Sequence, residues 1–230
     1  ERGGRPPLPT ELMVRVLLIQ QLFNLSDEQL EFQLLDRLSF QRFVGLRASS
    51  QIPDRTTIWI FRERLIQAGA SETIFDAVDR QLGQHGYIAR GGQMIDASIV
   101  QVPKQALSRK EKELVDERAM PIEWRPAKRR QKDMDARWVK KHGKSYFGYK
   151  VSVNADKRYK LVRKIKVSTA SEHDTLHFEE VLDPANTSRD ILADKGYVDG
   201  EREERLTKLG WRMHIQRKGS KGKPISETQK

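Results

Sequence analysis

Apolar residues recur every three or four positions through the first 90 residues, a spacing that predicts a series of amphipathic helices. One such stripe consists of Leu12, Val16, Ile19 and Phe23. Ser26, followed three residues later by Gln29, is a capping-box signal for the start of the next helix. These patterns predict an all-α N-terminal domain over residues 1–90.

The pattern changes to short, β-branched runs after Gly92, which predicts a second domain over residues 91–230. MIDASIVQV is the first predicted strand, and YFGYKVSVN and YKLVRKIKVS alternate apolar and polar residues on either side of the short connection ADKR, as in a hairpin. EHDTLHFEEVL and GEREERLTKLG are predicted helices, and DILADKGY and WRMHIQRK are predicted strands. The order β, β, β, α, β, α, β predicts an α/β fold with a mixed sheet and flanking helices.

Two acidic residues stand out in the predicted strands. Asp96 is the lone carboxylate in QMIDASIV, and Asp194 lies at the end of the strand in DILADKGY. Both runs are predicted to be buried, and a buried charge is costly unless a partner or a metal neutralises it. A metal site shared by the two acids is one interpretation; a salt bridge at Asp96 and a helix cap at Asp194 are the alternatives.

Composition favours a polyanionic partner. The 230 residues hold 43 Lys or Arg against 32 Asp or Glu, a formal net charge of +11, which attracts nucleic acid through counterion release. The chain has no cysteine, which excludes disulfides and thiolate metal sites and fits a reducing cytoplasm. No apolar run approaches the roughly 20 residues that a membrane span needs, so no membrane association is predicted.

Much of the positive charge lies in a polar segment predicted to be an exposed basic insertion over about residues 104–145. Residues 101–150 contain 15 Lys or Arg and 7 Asp or Glu. Candidate DNA-binding residues in it are Arg129, Arg130, Lys132, Arg137, Lys140, Lys141 and Lys144. Lys195, beside the second acid, is a further candidate for phosphate contact. The interleaved aromatic residues favour either stacking on an unpaired base or simply the start of the next strand.

The runs GGQMIDASIVQVPKQ, KKHGKSYFGYKVSVNADKRYKL and DILADKGY, with IPDRTTIWIFRERL upstream, resemble bacterial DDE transposases of the insertion-sequence-five family. The resemblance implies a ribonuclease-H-like catalytic domain. It also implies that Asp96 and Asp194 are catalytic and hold Mg²⁺ or Mn²⁺ in a two-metal site, together with a Glu on a later helix. In that family the Glu stands in a Tyr, Arg, Glu, Lys pattern, and this sequence reaches Lys230 without one.

The resemblance implies a transposase that cleaves DNA strands and transfers them at the ends of an insertion sequence. Its partners would be element ends and target DNA, with a homo-oligomer assembled on DNA in the bacterial cytoplasm, at the nucleoid. The missing third acid leaves an alternative, a truncated and inactive remnant that binds only DNA or an intact protomer. Another ribonuclease-H-like nuclease is a third reading, which the family-like N-terminal helices disfavour.

Overall fold

The computed structural model describes residues 7–46 and 52–217. The chain forms two compact units, which divide between Gln81 and Leu82. Among the described helices, none combines the length and the apolar character needed to cross a membrane.

Helices make up all the regular structure described in the first unit. They are α1 (Thr10–Phe23), α2 (Asp27–Asp36), α3 (Leu38–Val44), α4 (Arg55–Gln67) and α5 (Ala70–Gln84). The division between the units falls inside α5, several residues before position 90.

Local capping and a small apolar core explain these helices. The predicted capping box is confirmed, because the Ser26 hydroxyl accepts from the Gln29 amide and the Gln29 side chain accepts from the Ser26 amide. Val16, Leu30 and Ile58 are fully buried in the core of the unit. The prediction was wrong for Phe23, which is 53% exposed at the end of its helix.

The second unit contains six strands, three helices and two short 3-10 helices among its described residues. The strands are β1 (Gln93–Gln101), β2 (Arg137–Lys141), β3 (Lys144–Asp156), β4 (Val162–Thr169), β5 (Asp190–Ala193) and β6 (Arg212–Ile215). The helices are α6 (Arg109–Asp116), α7 (Pro126–Arg130) and α8 (Gly200–Lys208), and the 3-10 helices are Asp174–His177 and Lys195–Tyr197.

The strands form one mixed sheet in the order β2-β3-β1-β5-β6, with β4 also paired to β3. The pairs β1–β3 and β3–β4 are antiparallel, whereas β1–β5 and β5–β6 are parallel. This arrangement is consistent with a ribonuclease-H-like domain. The helix predicted for EHDTLHFEEVL is only the four-residue 3-10 helix, because a single turn already brings Phe178 and Val181 into the core.

One face of the sheet carries the core and the opposite face is open among the described residues. Ile95 and Ile191 are buried with Phe178, Tyr197 and other apolar residues. Burial alternates along β1, and Asp96 points to the exposed face. The prediction that both acidic runs are fully buried was therefore wrong, and the cost of burying a charge does not apply to Asp96.

The segment predicted to be an exposed basic arm is instead folded. Glu111 in α6 accepts hydrogen bonds from the indole of Trp124 and from Lys128, and Trp124 is buried. The segment ends in a β2–β3 hairpin whose two-residue turn, His142 and Gly143, has φ values of 50° and 77°. Two consecutive positive φ angles are those of the tight turns that join paired strands.

Candidate metal centre and nucleic-acid interface

The strand register brings Asp96 and Asp194 to neighbouring positions. β1 and β5 are parallel, with Ile95 opposite Ala193, and the two aspartates are the next residues on their respective strands. Asp194 keeps an extended backbone (φ −77°, ψ 173°), so the alternation of side chains continues through it. Both carboxylates therefore face the open side, on strands about 4.8 Å apart.

Neither carboxylate has a cationic partner among the described residues. Asp96 Oδ1 accepts from the amide of Ala97 at 2.8 Å. Asp194 Oδ1 accepts from the amide of Gly196 at 2.8 Å and so caps the short 3-10 helix after β5. The cap foreseen for Asp194 is present, whereas the salt bridge foreseen for Asp96 is absent from the part of the chain that the structure describes. Two exposed like charges side by side repel each other until a cation neutralises them.

Gly196 makes room for the second carboxylate. A Cβ built on Gly196 would lie 3.0 Å from Asp194 Oδ1, closer than most real Cβ contacts. The glycine in DKGY therefore lets the carboxylate sit directly over the amide that it accepts from. In this position the second carboxylate oxygen remains available to a ligand.

A buried polar cluster lies close to the two acids. Tyr197 is 2% exposed and its hydroxyl has no hydrogen-bond partner among the described residues. Burial, together with the negative charges of Asp174, Asp96 and Asp194, raises the pKa of Tyr197 well above its ordinary value. Lys150 Nζ forms an ion pair with Asp174 Oδ1 at 2.7 Å. The Tyr197 hydroxyl and the Lys150–Asp174 ion pair are thus two polar features among the buried residues of the second unit.

Lys150 and Asp174 are not among the site residues predicted from the sequence. His173 caps the short 3-10 helix that begins at Asp174, since its side chain accepts from the Thr175 amide. Asp174 instead neutralises Lys150, a largely buried cation on β3. The available signal was the position of Lys150 in KVSVN, on the inward-facing side of an alternating strand.

The two aspartates offer the donor type that magnesium or manganese prefers. Hard divalent cations bind carboxylate oxygens and retain several waters, so two acids on an open face leave coordination positions for other ligands. Among the described residues, no group of three or more His, Cys, Asp or Glu side chains is placed to hold a metal. Asp96 and Asp194 therefore fit part of a divalent site.

The basic residues of the insertion fall into two groups. Three of the predicted DNA-binding residues make hydrogen bonds within their own segment, and their contact with DNA stays a prediction. Arg129 donates to the carbonyl oxygens of Trp124 and Ile122, Lys132 to that of Ala106, and Arg137 to those of Met134, Ala136 and Val115. Backbone carbonyl oxygens accept many of the hydrogen bonds that these three side chains can donate. These contacts explain the positions of the side chains without a ligand.

The remaining predicted cations are free of such bonds. The side chains of Arg130, Lys140, Lys141, Lys144 and Lys195 are exposed and make no hydrogen bond or ion pair within 7–46 and 52–217. Three of the five lie at the tip of the β2–β3 hairpin, and Lys195 follows Asp194 directly. This free set is the best candidate surface for a phosphate backbone.

The aromatic residues in this region are mostly structural. Phe147 is buried, and the hydroxyl of Tyr149 donates to Asp133 at 2.6 Å. Burial, and next the hydrogen bond to Asp133, raises the pKa of Tyr149 above its ordinary value. Trp138 is 43% exposed, with Lys104 over its ring at 5.7 Å. Of the ring systems considered for base stacking, Trp138 has the most accessible face.

Two of the three arginines of α4 are engaged within the first unit. Arg62 donates to both carboxylate oxygens of Asp27 and to Gln20, and Arg55 pairs with Glu28. Among the described residues Arg64 makes no such contact. Packing within the first unit therefore accounts for the two arginines that are engaged.

Comparison with protein families agrees with this geometry. A family model described as "Transposase DDE domain" matches residues 89–230, well over half of the chain. A second model, described as "Transposase domain (DUF772)", matches residues 1–64. No solved structure matches the chain significantly.

Proposed function

The chain belongs to the transposase DDE domain family, and from that premise we propose that it is the transposase of a bacterial insertion sequence of the insertion-sequence-five family. In this proposal it cleaves strands at the ends of its element and transfers them to target DNA. The observation that carries the proposal is the register of β1 and β5, which makes Asp96 and Asp194 neighbours on an open face.

Asp96 and Asp194 would be the ligands for Mg²⁺ or Mn²⁺. Ions held there would neutralise charge on the scissile phosphate and favour attack on it by water or by a DNA 3′-hydroxyl. The protein fixes both carboxylates by backbone hydrogen bonds, from Ala97 and Gly196. Lys195 would hold a neighbouring phosphate. The open face leaves room for a DNA duplex.

The proposal extends to assembly and location. The helical first unit, which matches a transposase domain model over residues 1–64, would serve as an all-α domain for DNA binding or dimerisation. Coordinated action on two element ends requires at least two protomers. Element and target DNA place the protein at the nucleoid in the bacterial cytoplasm.

A nicking assay tests the catalytic assignment. Labelled duplexes that carry the terminal repeats of the element are incubated with Mg²⁺ and the chain, or with Asp96→Asn or Asp194→Asn. We expect metal-dependent nicks from the unsubstituted chain and a loss of about 100-fold or more in each variant, since each substitution removes charge that acts on the transition state. Equal nicking by the chain and the Asp96→Asn variant would reject the assignment.

Metal binding is tested separately from cleavage. Fe²⁺ is substituted for Mg²⁺, and ascorbate and peroxide generate radicals that cut the backbone close to the ion. We expect cuts next to Asp96 and next to Asp194, lost together in either Asn variant because the ligands share a site. Asp190→Asn is a matched control, because Asp190 lies on β5 but pairs with Arg212 and His214. Cuts confined to other segments would contradict a shared site.

A further inference from the structure

One strand links the candidate metal centre to the basic hairpin. β3 is 13 residues long, and residues from Gly148 to Asp156 pair with β1. Residues from Lys144 to Gly148 pair with β2. The part of β3 before Phe147 therefore extends beyond β1 and forms a two-stranded ribbon.

The tip of the ribbon is a concentrated, uncompensated positive charge. Lys141 and Lys144 are directly opposite each other across the two strands, and Lys140 and His142 are their immediate neighbours. Like charges at directly opposed positions destabilise a strand pair. No acidic residue within the described ranges pairs with any of these lysines. A polyanion supplies the missing counter-charge.

The register also gives the distance between the tip and the metal centre. Asp96 is opposite Val153 on β3, and Lys144 lies nine residues before Val153 on the same strand. At about 3.3 Å per residue the separation is about 30 Å. Base pairs of B-DNA stack at about 3.4 Å, so this length corresponds to about nine base pairs, slightly less than one helical turn. Points nearly one turn apart lie on the same side of a duplex.

We propose that the tip of the β2–β3 hairpin grips the DNA backbone about nine base pairs from the phosphate that is cleaved at Asp96 and Asp194. The inference rests on the proposed function for the position of the cleaved phosphate. Lys140, Lys141 and Lys144 are the phosphate contacts, while Arg129, Lys132 and Arg137 keep the insertion folded. The partner is duplex DNA, which runs along the direction of β3.

The salt dependence of DNA binding tests whether the lysines of the hairpin tip contact phosphates. Affinity for a fluorescein-labelled 30-base-pair duplex is measured by anisotropy for the chain and for the triple variant K140Q/K141Q/K144Q. We expect at least about tenfold weaker binding at 0.1 M salt and a salt slope reduced by roughly 2 to 3, as three phosphate contacts require. The matched control K110Q/K157Q/K164Q removes three exposed lysines that lie outside the hairpin and make no ion pair among the described residues.

The distance is tested with localised DNA cutting. Because the chain has no cysteine, His142→Cys and Ser98→Cys each provide a single attachment point for an iron chelate that cleaves nearby DNA. Ser98 lies on the exposed face, two residues from Asp96. Ser98 is opposite Val151, and the turn at His142 lies about eight residues from Val151 along β3, about 26 Å at 3.3 Å per residue. On a duplex that carries an element end, we therefore expect the two variants to cut at positions about eight base pairs apart.

The outcomes separate this inference from the proposed function. The proposed contact between the hairpin tip and DNA is overturned if the two triple variants change the salt slope equally. It is also overturned if the two chelate variants cut within about three base pairs of each other. Tighter binding to duplex RNA of the same sequence overturns the assignment to DNA. Nicking that survives Asp96→Asn overturns the proposed catalytic site, while cuts about eight base pairs apart and a hairpin-dependent salt slope still establish the DNA path.

Discussion

At the scale of single residues, the position of the Asp194 carboxylate depends on the absence of a side chain at Gly196. Gly196→Ala places a methyl group 3.0 Å from Asp194 Oδ1. We expect the carboxylate to shift and the metal-dependent nicking rate to fall roughly 10- to 100-fold, the usual effect of disturbing the support of a metal ligand. The measurement is the nicking rate as a function of Mg²⁺ concentration.

Gly200→Ala is the matched control for this prediction. Gly200 also follows Asp194 closely, at the start of α8, but a Cβ there meets nothing within 4 Å. We expect unchanged nicking and a melting temperature at least as high as that of the unsubstituted chain, because Ala favours the helix over Gly. A Gly196→Ala variant as active as Gly200→Ala would contradict the role given to the glycine.

His177 is the clearest source of pH dependence in the described second unit. Partial burial lowers the pKa of His177, but the hydrogen bonds that its ring donates to Glu180 and Glu172, and the charges of these two carboxylates, outweigh burial and raise the pKa above the ordinary value. Lys166 pairs with Glu180 on the other side. Protonated His177 therefore stabilises the fold.

The sign of the effect follows from that raised pKa. The stabilisation is complete below about pH 6.5, the ordinary histidine pKa, and is lost as pH rises through the higher value in the folded protein. We expect the difference in free energy of unfolding between the chain and His177→Gln to shrink as pH rises above about 6.5. Urea titrations across this range measure it, and a difference independent of pH would refute the prediction.

At the scale of elements, the ribbon joins the sheet at a position that only glycine can occupy. Gly148 has φ 152°, and a Cβ there would lie 2.1 Å from the carbonyl oxygen of Val100 on β1. We expect Gly148→Ala to separate β1 from β3 and to lower the free energy of unfolding by more than about 2 kcal/mol. Chemical denaturation of the two proteins measures the change.

Gly143→Ala separates this clash from backbone strain. Gly143 also has a positive φ, 77°, but a Cβ there meets nothing within 4 Å. The cost of Gly143→Ala should be only about 1 kcal/mol, the price of a left-handed conformation for alanine. Equal losses in both variants would show that the close approach of the strands is unimportant.

The elements also show where sequence information was sufficient. The closeness of Asp96 and Asp194 could be predicted from two short apolar runs. A residue at a strand centre and one at the end of a neighbouring strand can fall at the same sheet edge. The roles of Arg129, Lys132 and Arg137 did not follow, since a sequence shows charge but not the carbonyl oxygens that fold back onto it. The exposure of one face of β1 was overlooked, although the polar residues Asp96 and Ser98 alternate with Ile95 and Ala97 in its sequence.

At the scale of the whole molecule, each unit has its own buried core. Ile58 and Ile191 are both fully buried, the first among helices of the first unit and the second in the sheet of the second unit. We expect Ile58→Ala and Ile191→Ala each to destabilise by about 2 to 5 kcal/mol, through lost apolar burial and the cavity left behind.

Differential scanning calorimetry of the chain shows which thermal transition each substitution lowers. Ile58→Ala should lower the transition of the first unit and Ile191→Ala that of the second, because each side chain belongs to the core cluster of its own unit. The fold class could be predicted at this scale because the order of elements constrains the topology strongly. A pair of variants that shift every transition equally would show that the cores unfold as one.

Because β3 runs without a break from the candidate metal centre to the hairpin tip, its length sets the distance between these two DNA contacts. Its length is set by residue number alone, so inserting two residues into β2 and two into the facing half of β3 preserves which side chains face which way. Such an insertion moves the gripping lysines outward by about 6.6 Å, or about two base pairs. In related transposases with longer or shorter ribbons, the phosphates bound by the hairpin tip would then lie at a different distance from the cleaved phosphate.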